Sequence, residues 1–233
     1  MSAPSGGEAT RGVAPRPRFL AEHFESMGAQ LDTSTMGIWL FLASEVLFFG
    51  GLFTAYGVYR ANHPELFRYA QYFLDWRLGA LNTLVLIGSS LSAAWSVRCA
   101  QLGQRKGLLA TLAVTFALAG VFMAVKYLEY SHKLHHGVAW GASYRASEEI
   151  LRSLPEAVPV PDHMGTFFSV YYLMTGLHGI HVLVGMGLYL WLIGRAHRGD
   201  FGPGYYGPVD AVALYWHLVD MIWIFLFPLF YLV

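Results

Sequence analysis

Glu45 is the one charged residue in the run TMGIWLFLASEVLFFGGLFTAY, Thr35 to Tyr56. A carboxyl among apolar neighbours can hold a proton, accept from an imidazole or ammonium, or ligate a metal. Three later segments offer partners. MTGLHGIHVLVG sets His178 and His181 three residues apart, YWHLVDMIWIF does the same with His217 and Asp220, and KYLEY with Lys126 and Glu129. Three-residue spacing puts both members of each pair on one helix face.

Imidazoles and carboxylates at such spacing suit either buried hydrogen bonding or metal and haem ligation. His178, His181 and His217 could supply haem ligands from two helices, and that reading stays open on the residues alone. The small neighbours Gly176 and Gly179 favour interhelical hydrogen bonding, where backbones approach closely. No carboxylate and histidine set repeats in the two-plus-two pattern of a di-iron bundle. The expectation is therefore a polar, structural set of Glu45, His178, His181, Lys126, Glu129, His217 and Asp220, with no catalytic residue and no metal ligand. His132, His135 and His136 in SHKLHHG read as a solvated loop cluster.

The elements that position these groups follow from composition. The 233-residue chain is 55% hydrophobic and only 13% charged, and its mean hydropathy is +0.43. That is a membrane composition. Five apolar runs, at 36–59, 78–97, 108–128, 165–193 and 209–232, each have the length a bilayer core requires. In lipid they must be helices, and strand alternation is absent, so the predicted fold is all-α, an integral membrane bundle of five transmembrane helices. Glu45 lies near mid-membrane, about 14 Å beyond Met36 at helical rise. His178 falls at comparable depth after Met164, so the reading pairs Glu45 with His178.

Residues 1–34, rich in Pro, Gly, Ala and Arg, read as a disordered cytoplasmic tail, and 35–233 as one membrane domain. Arg98, Arg105, Lys106, Arg195 and Arg198 in the short connections favour the amino terminus inside, which places the carboxyl terminus outside. The connection 130–163 is expected to carry a short amphipathic helix. A single cysteine, Cys99, excludes an intrachain disulfide, and a net charge of zero argues against a nucleic-acid partner.

Five segments carry a resemblance. GIWLFLASEVLFFGGLFTAY, LNTLVLIGSSLSAAW, KYLEY, GTFFSVYYLMTGLHGIHVLVG and YWHLVDMIWIFLFPLFYL resemble, in order, the last five helices of subunit III of the haem-copper oxidases, the cytochrome c oxidase family. The larger family form has two further spans, so this chain looks like a shorter bacterial version.

The resemblance implies an accessory subunit that binds no haem or copper itself. Those cofactors are expected in subunits I and II of the complex, with phospholipid as a further partner, in a bacterial inner (plasma) membrane. It also implies that Glu45 matches an intramembrane carboxyl reactive toward hydrophobic carbodiimides. The implied role is to stabilise subunit I and to support its proton uptake. A quinol oxidase or nitric oxide reductase component shares this helical pattern. An independent transporter would show inverted repeats and broken helices, and the sequence has neither.

Overall fold

The computed structural model describes residues 19–148 and 161–232. Its helices are α1 (Met27–Asn62), α2 (Pro64–Ala70), α3 (Trp76–Gln101), α4 (Arg105–His135), α5 (Met164–Arg198) and α6 (Gly207–Tyr231). All but α2 are long and apolar enough to cross a membrane. There is no strand among the described residues, only one isolated bridge between Gly202 and Tyr205.

Helix α1 starts at Met27, so the expected tail boundary at residue 34 falls inside a helix. Ser26 is the reason: its Oγ accepts from the Ala29 amide at 3.1 Å and caps the first turn. Apolarity marks the lipid-facing part of a helix, whereas capping marks where the helix begins. The helix expected within 130–163 lies partly outside the described residues. In the described part, α4 runs on to His135 and a 3-10 turn occupies Gly141–Ser143.

Two of the connections depend on glycine. After α3, Gly103 takes φ +68, and the amides of Gly103 and Gln104 return to the carbonyls of Ala100 and Cys99 at 3.1 and 2.9 Å. After α4, Gly137 takes φ +74, with Val138 donating to Lys133 O at 2.9 Å. Both satisfy the last carbonyls of a helix in the left-handed turn that favours glycine. The first of them turns α4 back antiparallel along α3.

Helices α3, α4, α5 and α6 close a ring in which each packs on the next, and α1 lies outside against α6. Helix α6 is the most buried of the long helices, with Trp216 and Trp223 fully enclosed. Their indole N–H groups donate to Ser89 Oγ and Thr83 Oγ1 on α3, both at 3.1 Å. On α5, Gly185 makes room for Trp216: a Cβ there would stand 2.6 Å from the ring. Tyr215 on α6 donates to His181 O on α5 at 2.9 Å.

The two ends of the bundle are tied separately. At the amino-terminal side Arg105 donates to the carbonyls of Ala196 and His197, which joins the start of α4 to the end of α5. Beside it Arg195 bonds Asp200 at 3.0 Å and lies among the rings of Phe19, Trp191, Phe201 and Tyr205. At the opposite end α2 and the turn after it cap the bundle through Phe67 and Phe73, whose rings meet Phe167 and Phe168 edge-on. In that cap, outside the spans, burial raises Tyr69 and pushes Tyr144 up to about 12, the Tyr69 phenol adding to the second shift.

Candidate functional site: an intramembrane polar network

Glu45 projects from α1 toward α5, where His181 Nε2 lies 3.0 Å from Glu45 Oε2. The other ring nitrogen, Nδ1, is 2.8 Å from Leu177 O, one turn back on α5. A carbonyl can only accept, so Nδ1 donates to Leu177 O and Nε2 is the nitrogen that faces the carboxyl. Both side chains are about one-fifth exposed, at the edge of the bundle.

The expected partner, His178, is elsewhere. It is fully buried, its ring 5.6 Å from Phe122 and 5.4 Å from Trp223, and neither nitrogen makes a hydrogen bond. Residues three apart on a helix are rotated by about 60° at 3.6 residues per turn. That rotation turns His178 into the four-helix ring and His181 outward to α1. The predicted Glu45–His178 pair is thus replaced by Glu45–His181.

Near the far end of α4 lies a second, larger cluster. Lys126 Nζ donates to Glu129 Oε2 at 2.9 Å, to Tyr171 OH on α5 at 3.1 Å and to Tyr231 OH on α6 at 3.0 Å. Lys133 donates to Glu129 Oε1 and to Tyr171 OH. Glu129 also accepts from Tyr171 at 2.8 Å and Tyr231 at 2.6 Å. The three charged residues are each only 6% exposed. Pairing with several hydrogen bonds is the condition under which such charges can be buried. Next to the cluster, Tyr130 on α4 bonds Thr175 on α5.

The Lys126 and Glu129 spacing is legible in the sequence, whereas the structure adds Lys133, Tyr171 and Tyr231 to the cluster. Lys133 is a buried member of α4 rather than a loop cation, and its position four residues after Glu129 and seven after Lys126 was the available signal. The two tyrosines count as apolar in a hydropathy scan, which hides their hydroxyls.

Glu129 reaches α6 through Tyr231, whereas His217 Nδ1 lies 2.6 Å from Ser90 Oγ on α3, the second span. Asp220 and Asn82 are buried without a side-chain hydrogen bond. Ser89, beside Asp220, already gives its hydroxyl to Leu86 O at 2.8 Å and accepts from Trp216.

Among the described residues, no three or more His, Cys, Asp and Glu side chains come together as metal ligands would. His132 and His135, expected in a loop, stand on the last turn of α4 because the helix outlasts its apolar run; the rings of His132 and His136 pack at 4.5 Å and His136 Nδ1 meets Ser147 Oγ at 3.3 Å.

The arrangement can fix helix crossings and hold protons at named atoms. Comparison with known proteins gives it a context. The family model described as cytochrome c oxidase subunit III matches residues 11–145 and 158–233. A probable cytochrome c oxidase subunit 3 of Nocardia farcinica is 30% identical over 85% of this chain and 87% of its own length. The cytochrome c oxidase subunit 3 of Synechocystis is 32% identical over 86% of this chain and 76% of its own. That of the elephant Loxodonta africana is 32% identical over 82% of this chain and 66% of its own. With five membrane-crossing helices in the order the sequence motifs required and a family match along nearly the whole chain, this multi-pass membrane protein belongs to the cytochrome c oxidase subunit III family.

Proposed function

We propose that this chain is the accessory subunit III of a haem-copper terminal oxidase in aerobic respiration. It sits in a bacterial inner membrane with the amino terminus in the cytoplasm, beside subunits I and II, which hold the haem and copper. Its work is structural: to keep catalytic subunit I stable during turnover and to support proton uptake there. The observation that carries this reading is the Glu45–His181 contact, which fixes the outlying α1 to α5 through a carboxyl at mid-membrane.

Two of the three intramembrane histidines have polar partners, and the third, His178, is enclosed by Phe122 and Trp223, which supports a chain without its own redox centre. Both nitrogens of His181 are engaged by Leu177 O and Glu45, and His217 Nδ1 is engaged by Ser90. The lysine and tyrosine cluster is gathered around Glu129. These groups stiffen the bundle, and the outward surface left to a partner is apolar. On it Gly50 and Gly51 have no atom within 4 Å of a Cβ position, and Gly88 has only a Leu118 methyl at 3.8 Å. Small residues of this kind let a helix of a neighbouring subunit, or a lipid, approach the backbone.

The test is purification of the chain from native membranes in a mild detergent, with an optical spectrum and identification of whatever accompanies it. Haem and copper confined to a co-purifying large subunit, with oxygen uptake driven by reduced cytochrome c, supports the reading. A chain that elutes with its own haem, or that never accompanies an oxidase, overturns it.

A further inference from the structure

The start of α3 and the end of α4 meet on the side of the membrane opposite the amino terminus, and between them runs a groove of about 660 Å³. Its walls include Tyr72, Asp75, Trp76, Leu128, His132 and Lys133. Lys133 lies two residues before the end of α4, about 3 Å along the axis at helical rise. That depth is where lipid headgroups sit, and Trp76 and Tyr72, 55% and 44% exposed, are residue types that favour it.

The two walls differ in charge. On the α4 side, two basic side chains, Lys126 and Lys133, face a single carboxylate, Glu129, which also lines the groove. Lys126 uses all three of its N–H donors, whereas Lys133 uses two, on Glu129 and Tyr171. The remaining ammonium hydrogen belongs to a buried residue that lines the groove, and His132 stands one position before it. On the α3 side are the Asp75 carboxylate, close enough for its charge to act on Lys133, and the Tyr72 and Trp76 rings.

A ligand matching both walls carries an anion and a cation a few bonds apart. We propose that this groove binds a zwitterionic phospholipid headgroup of the ethanolamine type. The phosphate takes the free N–H of Lys133 and the His132 ring. The ammonium takes Asp75 and the aromatic faces. Leu128, 65% exposed beside the groove, meets the upper acyl chain. An anionic headgroup would bring no cation to Asp75 and would be repelled by it. This site rests on the membrane placement of α3 and α4 and not on the oxidase role.

The probe is phosphatidylethanolamine with a diazirine high on one acyl chain, compared with the matching phosphatidylglycerol, in nanodiscs holding the complex as purified. Cross-linked peptides are mapped by mass spectrometry. The expected result is labelling within 72–78 and 128–133 that is stronger for the ethanolamine lipid. Asp75→Asn should weaken it about threefold to fivefold, the range of a partly exposed ion pair. Asparagine still caps α3, where Asp75 Oδ1 accepts from the Arg77 amide at 2.8 Å, so the fold is preserved. Trp76→Leu, at an exposed position, should lower the same labelling. Equal or stronger labelling by phosphatidylglycerol, labelling unchanged by Asp75→Asn, or none in these peptides overturns the proposal. The accompanying oxidase subunits are read from the same samples, so their absence would count against the proposed function alone.

Discussion

His181 Nε2 of α5 stands 3.0 Å from Glu45 Oε2 of α1, while His178, three residues earlier, lies between Phe122 and Trp223 without a polar partner. Two histidines of one motif thus have opposite surroundings, and they should respond to substitution in opposite ways.

Replacing His178 by Leu should be tolerated. The ring is buried among aromatics and its nitrogens bond nothing, so an apolar side chain of similar size removes a desolvated polar group. Thermal unfolding of the purified variant should match or exceed the parent. A marked loss would mean that His178 has a polar partner.

Replacing His181 by Leu should weaken the hold on α1. A side-chain hydrogen bond within a membrane is worth on average about 0.6 and at most about 1.7 kcal/mol. Glu45→Ala should cost a similar amount, and the double variant no more than either single one. Glu45→Gln, whose amide can donate to a neutral Nε2, should lose less. Native gel electrophoresis, read as the fraction of chain retained by its complex in detergent, measures all four.

Glu129→Leu should be the most damaging substitution in the chain's polar set. It strands two buried ammonium groups, a situation that costs about 3 to 5 kcal/mol when one partner of a buried pair is removed. Lys126→Met should be milder, because Glu129 keeps Lys133 and both tyrosines. Membrane abundance of the two variants, measured side by side, should differ clearly; equal abundance would contradict the network's role.

Gly185→Ala and Gly187→Ala form a matched test of packing. A Cβ at 185 meets Trp216 at 2.6 Å, whereas at 187 nothing lies within 4 Å. Overpacking of that kind costs about 1 to 3 kcal/mol, so the first should lower the unfolding temperature and the second should not. Equal midpoints would show that Trp216 can move aside.

Much of this molecule was legible in its sequence, because lipid imposes simple rules. Five long apolar runs gave five helices, and the intramembrane charges stood out against their surroundings. The pairings were harder to read. Choosing between His178 and His181 requires the rotation of α5 about its axis, and that is set by contacts such as Trp216 in the space at Gly185. Tyr171 and Tyr231 escaped notice because a phenol reads as apolar until its hydroxyl finds a charge. Lys133 reads as a loop residue because the apolar run ends before the helix does.

The position of α1 outside the ring bears on how the chain is made. Its main neighbour is α6, and Tyr56 donates to the Leu229 carbonyl near the opposite end of the sequence. Because α1 precedes α6 in the chain, it must wait in the membrane without its principal neighbour until α6 is synthesised. Docking of α1 is thus completed late, and a nascent chain stalled before α6 would hold α1 through little more than the Glu45–His181 contact to α5, open to capture by an insertase or a quality-control protease.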